Sequence, residues 1–195
     1  MHKSEFEEAN NVKPLSEMTL EELWELFPIF LVEHNEKWTK DYAEIELVLK
    51  NTFSDCHIIR ISHIGSTAIK NIYAKDIIDI LVATDDIEKA AKIAERNGFI
   101  RMSSGSQRVA LNKGYAPEGF ADKVYHLHIR HEGDNKEIYF RDYLNEHSEV
   151  AKEYERMKLD LWKKYEHNRD AYTEAKTDFV EKWTSEALKL YGRRY

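Results

Sequence analysis

The sequence is poor in the residues that make turns and crosslinks. Glycine occurs seven times and proline three times in 195 residues. That is well under average usage, so tight turns are few and long helices are expected. The single cysteine, Cys56, excludes an intrachain disulfide and favours a reducing compartment. No apolar run approaches the roughly 20 residues of a membrane span. The charged stretch Met1–Asn10 lacks the apolar core of a signal peptide. The expectation is a cytoplasmic protein that does not enter the membrane. A net charge of −7 argues against a broad nucleic-acid-binding surface. Much of that charge sits in residues 1–30, where seven acids face only Lys3 and Lys13. The rest of the chain is nearly neutral and can host a local basic pocket for an anionic small molecule. At 42% hydrophobic, the chain is long enough to bury a core in one domain.

The elements follow from periodicity. Residues 1–15 are polar and read as frayed. Thr19-x-x-Glu22 is a capping box that opens a short helix with Leu20, Leu23, Trp24 and Phe27 on one side, and Pro28 interrupts it. Asn35 is an N-cap for a helix carrying Trp38, Tyr42, Ile45 and Leu49. His57–Ile61 then reads as a strand and His63–Thr67 as a loop. Ile77–Ala83 is an apolar run broken only by Asp79, as in a strand buried on both faces. Asp85-x-x-Glu88 opens a helix that ends at Asn97-Gly98. Strands are expected at Phe99–Ser103, Gln107–Asn112 and Val124–Arg130. From Lys136 the signal is helical. One stripe holds Val150, Tyr154, Met157, Leu161 and Tyr165, and a last helix holds Tyr172, Ala175, Phe179, Trp183, Ala187 and Leu190. The pattern predicts an α+β domain with a central sheet of four or five strands, helices at both ends, and no internal repeat.

Asp79 is the anomaly. A lone carboxylate in a buried strand costs several kcal/mol unless it is paired or metal-bound. Gly65-Ser66 lies 13 residues earlier, after a predicted strand, where glycine permits close backbone approach and the serine hydroxyl can meet phosphate oxygens. Strand alternation puts His126, His128 and Arg130 on one face. Two histidines on one face can share a metal or, with Arg130, an anion. If their strand lies beside that of Asp79, the three side chains can share one cation. The bland readings are a plain turn at Gly65-Ser66, a loop-capping or arginine-paired Asp79, and a solvated histidine face.

The order Gly-Ser, spacer, Asp on a strand resembles the nucleotidyltransferase superfamily. There the Gly-Ser loop holds a nucleoside triphosphate and two carboxylates bind divalent metal. The second carboxylate position here is Leu81, and Asp76 points to the opposite face. The ordered motifs His63-Ile-Gly-Ser-Thr-Ala-Ile69, Lys75-x-Ile-Ile-Asp-Ile80, His126-Leu-His128, Phe140-Arg-Asp-Tyr-Leu144 and Ala171-Tyr-Thr-Glu-Ala-Lys-Thr-Asp-Phe179 resemble the GrpB family. That family has a nucleotidyltransferase fold and no settled reaction. The resemblance divides the chain into an acidic helical extension, 1–31, and a GrpB-like domain, 32–195. Lys70-Asn71 stands where the family commonly has Pro-Gly, and Asn71 can take the left-handed turn.

What the resemblance implies is a nucleotidyltransferase-like fold, a central mixed β-sheet flanked by helices with a helical C-terminal region. It implies catalytic and metal roles for Asp79, His126 and His128 with Mg²⁺ or Mn²⁺. It implies nucleotide or phosphate contacts from Gly65, Ser66, Thr67, Lys75, Arg141 and Lys176. The function implied is transfer of a nucleotidyl group from a nucleoside triphosphate to a small acceptor. The alternative is a non-catalytic module that binds a nucleotide, another anion or a partner protein and has lost the second carboxylate. The bland reading of Arg141 is pairing with an acid, and that of Lys176 is solvation on an outer helix face.

Overall fold

A computed structural model describes residues 13–195; the frayed start expected for residues 1–15 lies outside it up to residue 12. Helix α1 (Leu20–Leu26) begins with the capping box read from the sequence: Thr19 Oγ1 accepts from Glu22 N–H, and the Glu22 carboxylate accepts from Thr19 N–H. Helix α2 (Lys37–Thr52) follows; its N-cap position is Glu36 rather than the expected Asn35, whose Oδ1 nonetheless accepts the Lys37 N–H at 2.9 Å. Strand β1 (Ile58–Ile64) and β2 (Ile78–Thr84) bracket the Gly-Ser loop, and α3 (Ile87–Arg96) leads to β3 (Ile100–Ser104), β4 (Arg108–Ala116) and β5 (Gly119–His131). Helices α4 (Lys136–Glu146), α5 (Ser148–Tyr165), α6 (Arg169–Glu174) and α7 (Thr177–Tyr191) complete the domain.

The five strands form one mixed sheet in the order β1-β2-β5-β4-β3. Strands β2 and β5 are parallel, with Asp79 opposite His126 and Leu81 opposite His128; the remaining pairs are antiparallel. Alternation then sorts the sheet into two faces. Ile78, Ile80, Val82, Leu127 and Ile129 point to one side and pack under α2 and α3 with Trp38, Leu49, Ala90 and Ala94. The other face carries Asp79, Leu81, Ala83, His126 and His128 and is covered by the C-terminal helices. Leu81 and Ala83 pack there with Ile64 and with Ile138 of α4. A second core of Ile69, Ile72, Tyr143, Leu144, Val150 and Tyr154 binds the Gly-Ser loop segment to α4, α5 and α7.

Four further expectations are corrected. His63 and Ile64 belong to β1 rather than to a loop, with Ile64 paired to Asp79. The N-cap of α3 is Asp86, whose Oδ1 accepts the Lys89 N–H, while Asp85 pairs with His57 at 3.0 Å. Strands β4 and β5 extend past Asn112 and begin before Val124 as a long hairpin; the added residues are half-buried or exposed and mix glycine, alanine, aromatic and charged side chains, so no alternating apolar pattern marks them. The last helix is two helices. Lys176 N–H bonds Thr173 O in a tightened turn. The break lets Tyr172 pack on Ile29 and Leu31 while Phe179 packs on Tyr154 at 5.4 Å between centroids.

Candidate functional site

The site grows from the contact between the Gly-Ser loop and Asp79. Gly65 has φ +71°, and a Cβ there would lie 2.3 Å from Asp79 Oδ2. Glycine is therefore required twice, for its dihedral and for the closeness of the carboxylate. The loop beyond is held from outside. Asn145 accepts the Lys70 N–H at 2.9 Å and donates to Ala68 O at 2.9 Å. Asn71 takes the left-handed conformation at φ 58°, with Lys152 Nζ on its carbonyl at 2.6 Å. Glu155 accepts the Tyr73 N–H at 2.8 Å, and Lys158 Nζ donates to Tyr73 O.

Asp79 Oδ1 lies 3.1 Å from His126 Nδ1 and 3.3 Å from His128 Nε2. The three residues each present one donor atom within a 4.8 Å cluster, the kind of group that can hold a metal ion. Burial pushes the Asp79 carboxyl up, but the hydrogen bonds from both histidines outweigh it and hold the group ionised, below the usual carboxylate range. Burial lowers His126, outweighing the Asp79 charge, so its ring is neutral near pH 7. The donor set fits one divalent cation. Two imidazoles and a carboxylate suit Mn²⁺, Fe²⁺ or Zn²⁺ better than Mg²⁺, which prefers an all-oxygen shell.

The triad opens on a cavity of about 170 Å³ whose lining includes Ser66, Lys75, Lys158, Arg169, Tyr172 and Lys176, with Asp79 and His126 on the same wall. That volume lies below the roughly 300 Å³ at which drug-sized pockets begin and matches a compact anion. None of the four cations forms an ion pair with a carboxylate among the described residues. Lys75 and Lys176 stand over the Tyr172 ring at 4.9 and 4.4 Å, and Lys158 is 1% exposed. Burial lowers Lys75 and Lys158 to about 7, with neighbouring positive charges adding to it. Burial lowers Lys176 to about 8, partly opposed by Asp79. Basic groups are concentrated here against their own solvation cost.

The other expected residues divide. Ser66 and Lys75 line the cavity, as does Lys176, whose reading as a solvated helix-face residue fails because the break before α7 turns it inward. Thr67 reaches the lining but spends its hydroxyl on structure, donating to Ile77 O at 3.0 Å, with His63 Nε2 also at 3.0 Å. Since that proton is committed, His63 is the donor in its pair. Burial lowers His63 to about 4 against the pull of Asp79, so it braces the loop as a neutral ring stacked on Tyr42 at 4.7 Å. Arg141 is not in the cavity: it donates to His63 O at 2.7 Å and pairs with Asp142 at 2.6 Å, a structural tie between β1 and α4. Asp76 accepts from Trp38 Nε1 at 2.7 Å, away from the cavity. Leu81 is fully buried. Sequence reasoning missed Lys158, Arg169 and Tyr115. Lys158 had a signal, lying four residues after Tyr154 on the buried stripe of α5; Arg169 and Tyr115 had none.

Sheet order, loop and strand carboxylate define a nucleotidyltransferase-like α+β fold. Cid1 in complex with a UTP analogue superposes with TM-score 0.51 at 10% identity, over 80% of this chain and 50% of that one, a likeness of fold alone. The sequence profile of the GrpB protein family matches residues 28–186, and the chain belongs to that family. It is 34% identical over 170 residues to the glutamate-rich protein GrpB of Alkalihalophilus pseudofirmus, covering 81% of this chain and 95% of that protein. It is 31% identical over 185 residues to the UPF0157 protein YqkA of Bacillus subtilis, covering 90% of this chain but 52% of that longer relative. The crystal structure of GrpB from Enterococcus faecalis superposes with TM-score 0.72 at 30% identity, over 83% of this chain and 99% of that one.

Proposed function

We propose that this protein binds the phosphate end of a phosphorylated small molecule, of the nucleotide class, beside a single divalent cation held by Asp79, His126 and His128, the small cavity seating the phosphate rather than the whole molecule. The observation that carries the reading is the meeting of a metal-type donor set with Lys75, Lys158, Lys176 and Arg169 on one small cavity. The lysines and Ser66 take phosphate oxygens. Asp79, kept ionised, faces the same anion and needs a cation between them to avoid repulsion. A cation held by Asp79, His126 and His128 would offset that repulsion and supply Lewis-acid polarisation of a phosphoryl oxygen. The donor chemistry favours Mn²⁺ or Zn²⁺ over Mg²⁺.

Nucleotidyl transfer to a small acceptor is the second reading, favoured by the fold and by Asp79 following the Gly-Ser loop. Leu81, fully buried against Ile64 and Ile138, supports binding over transfer, because a two-metal clamp has no second carboxylate. Thermal-shift measurement with inorganic phosphate, diphosphate and nucleoside triphosphates, with and without Mn²⁺ or Zn²⁺, tests the proposal. A ligand at about 100 times its Kd adds roughly 2.7 kcal/mol. The expected result is a metal-dependent rise that Asp79→Asn abolishes. No rise with any phosphate would overturn it, and release of diphosphate from a triphosphate would promote the transfer reading.

A further inference from the structure

We propose, resting on the metal reading above, that Arg169 is a metal-gated anion contact: its Nη2 is held by His126 in the metal-free protein and freed for an anion in the cavity when the cation binds. His126 touches Asp79 through Nδ1 and makes two contacts through Nε2. Tyr115 Oη lies 2.8 Å from Nε2, and Arg169 Nη2 lies 3.3 Å from it. Arg169 Nη1 donates to Tyr115 Oη at 3.1 Å, closing a triangle. A guanidinium has five N–H donors and no acceptor, so Nε2 must offer its lone pair. A neutral ring then carries its proton on Nδ1, where it donates to Asp79.

A cation bound by Asp79 and His126 needs the Nδ1 lone pair. The ring stays neutral, losing a proton from Nδ1 and gaining one at Nε2. The new Nε2–H finds an acceptor already in place in Tyr115 Oη, the outer-shell hydrogen bond that metal-binding histidines usually make. It also faces Arg169 Nη2, and two N–H groups cannot share that contact. Arg169 must let go. It lies at the start of α6, and its guanidinium lines the cavity with Lys75, Lys158 and Lys176. Tyr115 does not follow, because Phe27 and Phe120 pack on its ring at 4.9 and 5.3 Å. Metal occupancy and anion affinity are thereby coupled through one side chain, and by linkage the anion tightens the metal in return.

Two measurements test this on the full chain. Long-range ¹H–¹⁵N spectra of the His126 ring should report the Nδ1–H tautomer in metal-free protein and the Nε2–H tautomer with one equivalent of Zn²⁺. Titration with inorganic phosphate, on metal-free protein and on zinc-loaded protein freed of excess metal, should show that Arg169→Ala costs under about twofold without Zn²⁺ and about tenfold with it. An Nε2–H tautomer without metal, an unchanged tautomer with Zn²⁺ bound, or equal costs of Arg169→Ala in both states would overturn the gating while leaving the metal and anion sites standing. Failure of Zn²⁺ to bind would overturn both.

Discussion

Substitution of Gly65 by alanine tests the geometry at the centre of the site. Gly65 sits at φ +71°, and the added Cβ would meet Asp79 Oδ2 at 2.3 Å and Asp79 Cβ and Cγ at 2.8 Å. With ψ −172° this backbone lies in a region open essentially to glycine alone and costs another residue about 1–3 kcal/mol. Overlap that cannot relax without moving a packed group adds about 1–3 kcal/mol. The sum is about 2–6 kcal/mol, and a chain of this length loses roughly 2–4 °C in Tm per kcal/mol. A fall on the order of 5–20 °C is expected. Gly98 is the internal control. Its φ is +84°, but its nearest atoms are the flexible Lys113 Cε and Nζ at 3.7 Å, so Gly98→Ala carries the backbone cost alone. Differential scanning calorimetry on both variants separates the two contributions. The easiest escape from the overlap moves Asp79 away from His126 and His128, so Gly65→Ala should also weaken Zn²⁺ binding at least about tenfold, a loss typical of disturbed ligand positioning. A Gly65→Ala protein no less stable than Gly98→Ala, with wild-type metal affinity, would refute the close approach.

Three further outcomes follow from named contacts. Leu81→Asp, which adds a carboxylate two residues after Asp79, places an unpaired charge against Ile64, Ala83 and Ile138; it should cost more than about 3 kcal/mol, and a stable Leu81→Asp protein binding two metal ions would contradict the account. Lys75 and Lys158 at about 7 and Lys176 at about 8 lie below the value near 10.4 of an unfolded lysine. The unfolded chain binds more protons over that window, so these groups make stability rise with pH from about 7 to about 10. Lys75→Met should therefore raise Tm at pH 7 and lose the advantage near pH 10, while weakening phosphate binding; an advantage independent of pH would refute the charge penalty. Phe27→Ala, which removes a buried ring from Tyr115 and Phe120, should cost about 3 kcal/mol in denaturant melts, and a loss under about 1 kcal/mol would mean that α1 does not support the hairpin.

The legible parts of this molecule were those with a strong local signal. The capping box at Thr19, the buried run around Asp79 and the alternation through His126 and His128 each carried one, and together with the family resemblance they pointed to the fold class and to the residues of the metal-type cluster. What alternation could not supply was adjacency: His126 meets Asp79 because β5 returns parallel to β2 after α3, β3 and β4 have intervened. The cation pocket was half visible. Lys75 and Lys176 came from matched motifs, but the direction of Lys176 depends on a break between α6 and α7 that no glycine or proline announces. Arg141 sat in an equally good motif and proved to be a tie to the His63 carbonyl, since motif position does not say whether a guanidinium's donors are already spent. Lys158 marks the opposite lapse, because a lysine within an apolar helical stripe is the same kind of anomaly as an aspartate within an apolar strand.

The central claim is that Asp79, His126 and His128 form one metal centre. Calorimetric titration of Zn²⁺ and Mn²⁺ into the wild-type protein, Asp79→Asn and the His126→Ala/His128→Ala double variant, with circular dichroism to establish that each is folded, tests it most directly. The account predicts one equivalent bound by the wild type and at least about a hundredfold loss of affinity in both variants, in keeping with removal of direct ligands rather than their outer-shell partners. Isotherms indistinguishable from wild type in folded variants would contradict it.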